Sequence, residues 1–419
     1  MSKFKITGGK PLHGTVLISG AKNEALKLIA FSLLLKDEVL IKNLPLIKDV
    51  SRQLEIIKSI GANYTLKKNE VLIDAKNVKS QNIRNHAGKL RASIVLIGPM
   101  LARFSKVNTR LPGGCLIGAR PIFTHTEAFQ RLGAKVKIDG DVLEISLTPP
   151  KFAHIKLKEQ SVTATENVLM YAAGVKSDIT ISNCAIEPEI LELVEVMKIA
   201  GAKVERPSEK TFRVLGSLNL KTKTVEVMPD RVEGGSFAIA FLVTGGAGKI
   251  TPFRKNDMSA FLSALDKAKV KYRITNDYLE LLKTDRILPF EIKTAPHPGF
   301  PTDLQSPMAL LAAKANGESN IFETMYEKRL GYIGELEKMG LKAKINDTNH
   351  VKIFGPSKLK PTTIDSLDLR SGITLLIAAL MTEGETTINN AEIIDRGYEN
   401  IEEKFNEIGA NITRVNSKS

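Results

Sequence analysis

A three-residue signature recurs at nearly constant spacing along this chain, and it limits the possible folds more than any other feature. It reads Ile60-Gly61-Ala62, Leu132-Gly133-Ala134, Ala200-Gly201-Ala202, Ala268-Lys269-Val270, Met339-Gly340-Leu341 and Ile408-Gly409-Ala410. The central positions are 61, 133, 201, 269, 340 and 409, at intervals of 72, 68, 68, 71 and 69 residues. Five of the six carry glycine, which is favoured just past a helix C-terminus because a left-handed backbone costs it little. A period of this length is the mark of a repeat architecture.

Each repeat reads alike. In the first, an apolar helix over 22–35 is followed by a strand over 38–41. A second helix over 50–59 shows Leu54 and Ile57 at helical spacing, and two strands, 63–66 and 70–73, close the repeat. With a strand over 15–19 in front, the pattern is βαβαββ. The last repeat shows Ile401, Phe405 and Ile408 at i, i+4 and i+7 before its glycine. A repeat of about 70 residues buries too little core to stand alone, whereas three together make an ordinary domain. The expected fold class is therefore α/β, with six repeats in two three-repeat domains. One domain is 21–229, carrying the loop around Cys115, and the other is 1–20 joined to 230–419. The boundary falls near Met228-Pro229-Asp230.

Lys and Arg number 60 against 46 Asp and Glu, a formal charge of +14. Such a surplus points first to an acidic partner such as nucleic acid. Only 17 of the 60 cations are arginine, however, so the position of each arginine is the sharper question. Aligned on the repeats, the first helices are expected to start at Lys22, Arg91, Thr165, Arg231, Asp303 and Arg370. The second helices are expected to start at Lys48, Arg120, Glu187, Arg254, Arg329 and Arg396. Seven of the arginines fall at these positions. A cation at a helix N-terminus opposes the dipole, so its repetition there implies a use. Free amides and a guanidinium together grip phosphate or carboxylate. Both domains contribute, so the expected site is a cleft between them that closes on a small, multiply anionic substrate.

Other classes are set aside on composition and spacing. Aromatics make up 5% of the chain and no basic stretch is interleaved with them, so nucleic acid is not an expected partner. No apolar run approaches 18 residues, and the start of the sequence lacks the apolar region of a secretory signal, so no membrane association is expected. Cys115 and Cys184 make no disulfide framework, which fits a reducing cytoplasm. The six histidines show no metal-ligand spacing, and neither a Walker motif nor Gly-x-Gly-x-x-Gly occurs. No metal or cofactor is expected.

Two irregular segments carry chemistry. Pro112-Gly113-Gly114-Cys115 opens a loop that reaches Arg120, and a nearby guanidinium makes a thiol a usable acid or nucleophile. The stretch from Ala295 to Asp303 is a Pro- and Gly-rich loop that runs into a helix. Asp303 is the one carboxylate at an expected first-helix start, amid cations that keep it ionised, and it suits a general base as well as an N-cap.

Six segments together resemble the UDP-N-acetylglucosamine 1-carboxyvinyltransferase family of enolpyruvyl transferases. They are Gly20-Ala21-Lys22-Asn23, Arg91-Ala92-Ser93, Pro112-Gly113-Gly114-Cys115, Pro301-Thr302-Asp303, Asp368-Leu369-Arg370 and Asp395-Arg396-Gly397-Tyr398-Glu399. The resemblance covers nearly the whole chain in order. It implies a two-domain inside-out α/β barrel. It also implies transfer of the enolpyruvyl group of phosphoenolpyruvate to the 3′-hydroxyl of UDP-N-acetylglucosamine, with release of phosphate, as the first committed step of peptidoglycan synthesis. The shikimate-pathway enolpyruvyl transferase shares that fold but lacks the Pro-Gly-Gly-Cys loop.

The resemblance also assigns residues. Lys22, Arg120 and Arg396 would hold the phosphate of phosphoenolpyruvate, with Asn23 beside them and Arg329 and Arg370 around its carboxylate. Cys115 would deliver a proton to C3, and Asp303 would act as base or relay at the sugar hydroxyl. Asn23, Arg91, Arg120, Pro121, Ile122, Phe123, Thr124, Gln160, Ser161, Val162, Thr163, Asp303 and Met325 would bind the nucleotide sugar. This chain carries Phe123 where the family usually has Asp, Thr163 where Gly is usual, and Glu24 and Lys27 where small residues or Pro are usual. Ser306-Pro307 alters the helix after Asp303. The alternative is a catalytically altered paralogue or sensor that binds a different UDP-sugar. The expected assembly is a monomer or a weak homo-oligomer.

Overall fold

The structure, a computed structural model, describes residues 2–83, 91–111 and 122–416, the side chains of Arg91 and Ala92 excepted. The chain divides into two compact units, Met1–Ser19 with Pro229–Ser419, and Gly20–Cys115 with Arg120–Met228. Each has its own hydrophobic core.

In the Pro229–Ser419 unit, three helices pack on one another: Arg231–Val243, Gln305–Lys314 and Leu369–Met381. Leu369–Met381 buries every residue from Leu369 to Leu380, and Arg231–Val243 every residue from Val232 to Val243. A helix that is apolar on all sides has to be enclosed by other elements. Here the enclosing elements are sheets, so helices lie inside and strands outside. The other unit follows the same plan around Lys22–Phe31, Ile97–Phe104 and Val162–Ala173. Gly98 lets two of these helices approach closely, since a Cβ there would lie 2.1 Å from the Asn167 carbonyl oxygen.

The described residues form six separate sheets rather than a closed barrel. One shows the rule. Phe152–Lys156 runs parallel to Asp178–Ser182, which pairs antiparallel with Thr211–Leu215, which in turn pairs antiparallel with Lys203–Ser208. Glu291–Lys293, Gly317–Phe322, His350–Gly355 and Ala343–Asp347 repeat that order. The three-stranded sheet Lys106–Arg110, Val142–Ser146, Lys135–Asp139 keeps a trace of its parallel neighbour in the single bridge Asn82–Asn108.

The first repeat departs from its expected form. The strand before its helix, His13–Leu17, pairs in parallel with Ala247–Thr251 in the fourth repeat. The parallel strand of the first repeat is Thr224–Glu226, which joins Val39–Lys42. Ser2–Gly8 sits between Gly384–Asn389 and Ile412–Asn416 and completes the sixth repeat. Within each compact unit, strands distant in sequence thus complete the sheets, His13–Leu17 and Thr224–Glu226 at an edge and Ser2–Gly8 between two neighbours.

The recurring signature has one backbone conformation at all six central positions. Gly61, Gly133, Gly201, Gly340 and Gly409 have φ of 107°, 97°, 106°, 98° and 100°, and Lys269 has 58°. Lys269 therefore takes the left-handed turn without glycine's freedom, at a cost of about 1–2 kcal/mol. Glycine there loses more entropy on folding, about 0.4–1 kcal/mol. Lys269→Gly is expected to raise stability by up to about 1 kcal/mol in urea unfolding; a loss of stability would contradict this reading of the turn.

Candidate active site

A buried charged cluster in the Pro229–Ser419 unit centres on Asp303. The extended backbone of Pro301 leads into a tight helical turn, Thr302–Leu304, which places Asp303 just ahead of the buried helix Gln305–Lys314. One carboxylate oxygen, Oδ1, accepts from Arg329 Nη2. The other, Oδ2, accepts from Arg370 Nη2 at 2.9 Å. Side-chain exposure is 5% for Arg329, 8% for Arg370 and 26% for Asp303, so the carboxylate is the member of the trio that solvent reaches.

Burial alone would raise the Asp303 carboxyl, but the charges of Arg370 and Arg329 and their hydrogen bonds override it. They hold it well below the usual carboxylate range. Burial likewise lowers the Arg370 and Arg329 guanidinium groups, and the Asp303 charge outweighs that and raises both. Arg370 Nη1 also donates to Tyr398 Oη at 3.1 Å, and Ser236 Oγ lies 3.0 Å from that same oxygen. Burial pushes the Tyr398 phenol up to about 12.

A second carboxylate stands behind the first. Glu323 is fully buried at the end of the strand Gly317–Phe322. Its Oε2 accepts from Thr302 Oγ1 at 2.6 Å, and Thr302 Oγ1 accepts from Arg329 Nη1 at 2.7 Å. Its Oε1 accepts from Thr294 Oγ1 at 3.0 Å and from the backbone N–H groups of Met325 and Tyr326 at 2.8 and 3.2 Å.

In the other unit, Lys22 begins the helix Lys22–Phe31, and its Nζ lies 2.7 Å from Asp49 Oδ2. Glu24, also buried, accepts from Met228 N at 2.5 Å and so ties the start of that helix to the end of the unit. Lys27 points into the core, 3.3 Å from Glu166 Oε2 on Val162–Ala173. Burial raises the Glu166 carboxyl to about 7, against the pull of Lys27 and with added repulsion from Glu189 and Glu187. The unusual residues at 24 and 27 are thus each matched by a partner.

The segments expected to bind the nucleotide sugar meet in this unit. Phe123 opens the helix Phe123–Arg131, is 50% exposed, and has Lys158 Nζ 4.9 Å from its ring centroid. Thr124 Oγ1 donates to Glu159 Oε1 at 2.5 Å. His125 Nε2 lies 3.0 Å from Thr163 Oγ1, and its Nδ1 lies 2.9 Å from Asn167 Nδ2. An amide nitrogen can only donate, so Nδ1 accepts and Nε2 carries the proton towards Thr163. Ser161 caps Val162–Ala173, and Gln160 Nε2 reaches Asn183 Oδ1 at 3.4 Å. Ile122 precedes the first of these helices.

Several expected positions stand elsewhere. Cys115, Arg120 and Pro121 lie outside the described residues, as does the side chain of Arg91, whose backbone opens the turn Arg91–Leu96. Arg329 precedes its helix, Tyr332–Lys338, by three residues, and Arg396 ends the turn Ala391–Arg396 rather than starting a helix. Thr165 lies inside Val162–Ala173. Neither Arg329 nor Arg396 therefore stands at a helix N-terminus; the Asp303 carboxylate and the Thr302 hydroxyl, not a helix end, hold Arg329. Asn23 follows Lys22 on its helix, and Met325 is half-buried with its N–H held by Glu323. The site contacts of Thr302, Glu323, Tyr398 and Asp49, to Glu323, Thr302, Arg370 and Lys22 respectively, join residues more than 20 apart in sequence, so local reading gave none of the four a role. Among the described residues, no group of acidic, His or Cys side chains could hold a metal ion. No helix there is long and apolar enough to cross a membrane.

The chain matches the family model described as EPSP synthase (3-phosphoshikimate 1-carboxyvinyltransferase) over residues 6–405. A UDP-N-acetylglucosamine 1-carboxyvinyltransferase of Pelagibacter ubique is 38% identical over 418 residues, spanning 99% of this chain and 100% of that protein. The protein of the same name from Desulforapulum autotrophicum is 37% identical over 416 residues, with 99% and 100% covered. Among solved structures, the enolpyruvyl transferase NikO from Streptomyces tendae aligns with a TM-score of 0.90 at 22% identity, covering 100% of this chain and 99% of that one. EPSP synthase from Acinetobacter baumannii aligns at 0.77 and 16% identity, covering 99% and 100%. At such identities these two establish the fold alone.

Two carboxyls should give opposite pH slopes in unfolding. The contribution of Asp303, whose pKa is depressed, is present above its ordinary value of 3.8 and vanishes as the pH falls below it. Asp303→Asn should cost about 3 kcal/mol near neutrality, because two buried guanidinium groups lose their counter-charge. A cost under about 1 kcal/mol would contradict the clamp. The contribution of Glu166, whose pKa is raised, is full below its ordinary value of 4.5 and is lost as the pH rises through about 7. Glu166→Gln should remove that decline, and an unchanged pH profile would contradict the assignment.

Proposed function

The chain belongs to the EPSP synthase family of enolpyruvyl transferases, and we propose that it carries the activity named in its UDP-N-acetylglucosamine 1-carboxyvinyltransferase relatives. It transfers the enolpyruvyl group of phosphoenolpyruvate to the 3′-hydroxyl of UDP-N-acetylglucosamine and releases phosphate, the opening step of peptidoglycan synthesis. Within this reading it works in the cytoplasm, as a monomer or weak homo-oligomer, without metal or cofactor.

The observation that carries the mechanism is the Asp303 carboxylate held between Arg329 and Arg370. Two guanidinium groups on one carboxylate form a receptor for a carboxylate. In the proposed reaction the carboxylate of phosphoenolpyruvate takes those donors, while Lys22, Arg120 and Arg396 hold its phosphate and Asn23 lies beside it. Freed of its cations, Asp303 regains basicity and accepts the proton of the sugar hydroxyl as its oxygen bonds to C2. Cys115 gives a proton to C3. Loss of that site's proton and of phosphate then restores the double bond. The cations stabilise the charge that develops at C2 and on the leaving group. Arg91, Ile122, Phe123, Thr124, Gln160, Ser161, Val162, Thr163 and Met325, with Arg120 and Pro121, are the proposed nucleotide-sugar contacts. Many relatives of one activity at 35–38% identity over the full chain favour this reading over a non-catalytic sensor.

Phosphate release is expected only when phosphoenolpyruvate and UDP-N-acetylglucosamine are both present. Replacing the sugar nucleotide by 3-phosphoshikimate should abolish it. Cys115→Ser should lower turnover at least about 100-fold. Release with 3-phosphoshikimate would move the chain to the other acceptor class, and full activity of the serine variant would remove Cys115 from the mechanism.

A further inference from the structure

We propose that Glu323 is a positioning residue for this reaction, fixing Arg329 and Asp303 through Thr302 with one carboxylate oxygen and the Met325–Tyr326 backbone with the other. The inference rests on the transferase reading above and adds to it a residue that touches no substrate. Its first support is polarity. A carboxylate only accepts, so Thr302 must give its proton to Glu323 Oε2, 2.6 Å away, which turns its lone pairs toward Arg329 Nη1 at 2.7 Å. The other end of that guanidinium holds Asp303 Oδ1. The direction of every bond from Glu323 to Asp303 is thereby set.

The second support is anchorage. Glu323 directly follows the strand Gly317–Phe322, and its own backbone is tied to the adjoining hairpin. Its N–H donates to Asn349 O at 2.7 Å, and its carbonyl accepts from Asn349 Nδ2 at 2.5 Å. Thr302, Met325 and Arg329 all lie outside strands and α-helices. One side chain thus transfers the rigidity of a sheet to the irregular segments that carry Arg329 and Asp303, the arrangement a precise site needs. Glutamine cannot take its place. Turned one way, its NH2 faces the donors Thr294 Oγ1, Met325 N and Tyr326 N; turned the other, it donates to Thr302 Oγ1 and the Thr302 proton loses its acceptor.

The test compares kcat and both KM values of the full-length wild-type enzyme, Glu323→Gln, Thr302→Val and Thr302→Ser, with phosphoenolpyruvate and UDP-N-acetylglucosamine. Both Glu323→Gln and Thr302→Val should lower kcat by about 10- to 100-fold. Only Glu323→Gln should also raise the KM for the sugar nucleotide, because only it frees the 325–326 backbone. Thr302→Ser should recover most of the kcat that Thr302→Val loses. A folded Thr302→Val with undiminished kcat overturns the inference, and so does a serine variant as slow as the valine one. Should Glu323→Gln fail to fold by circular dichroism, the two Thr302 variants decide. A wild-type enzyme that releases no phosphate overturns the functional reading, and this inference with it; active wild type with unaffected variants overturns this inference alone.

Discussion

A helix that is apolar on every side cannot be left at a surface, and this chain contains such a helix in repeat after repeat. Leu369–Met381 and Arg231–Val243 are buried almost throughout, and each repeat has too few residues to enclose its own. Three helices packed on one another solve the problem, and the strands then become the outer layer. The exchanged strands follow from the same requirement. His13–Leu17 and Thr224–Glu226 each take the edge of a sheet in a repeat distant in sequence, and Ser2–Gly8 is inserted between two strands of the sixth repeat, so each compact unit closes on itself.

Enclosed helices also decide where charge can go. Asp303 and Arg370 stand at or just ahead of the starts of inner helices, where the chain passes from loop to core. There, burial removes water while neighbouring charges remain close. Asp303 stays ionised because two guanidinium groups replace the lost solvation, and those guanidinium groups are tolerated because Asp303 and Tyr398 take up their donors. The contrast with Glu166 is instructive. It has one cation, Lys27, and two further acids nearby, and there burial prevails and raises the carboxyl. Asp303 has two opposed guanidinium groups and keeps some contact with solvent, whereas Glu166 has one cation and none, which separates a carboxylate held ionised from one driven towards neutrality.

Much of this was readable in the sequence, for a physical reason. The repeat signature marks a turn with φ positive at every copy, even at Lys269 where glycine is missing, so spacing alone found all six. Asp303 and Arg370 were found because both lie near a repeat-aligned helix start. Sequence joined residues 1–20 to 230–419 but could not say which strands pair. It assigned the strand near residue 15 to the first repeat, since proximity in the chain is the only guide a single repeat offers. It put Arg329 and Arg396 at helix N-termini, when one precedes its helix and the other ends a turn. Glu323 and Thr302, 21 residues apart, left no pattern, because their link is a hydrogen bond through folded space.

A carboxylate-binding clamp, an acid and a base together would move an enolpyruvyl group onto a sugar nucleotide. Mass spectrometry of UDP-N-acetylglucosamine after incubation with the enzyme and phosphoenolpyruvate tests it most directly. The nucleotide should gain one enolpyruvyl group in place of a hydrogen, with one phosphate released for each product formed. Unmodified UDP-N-acetylglucosamine after prolonged incubation with folded protein would contradict it.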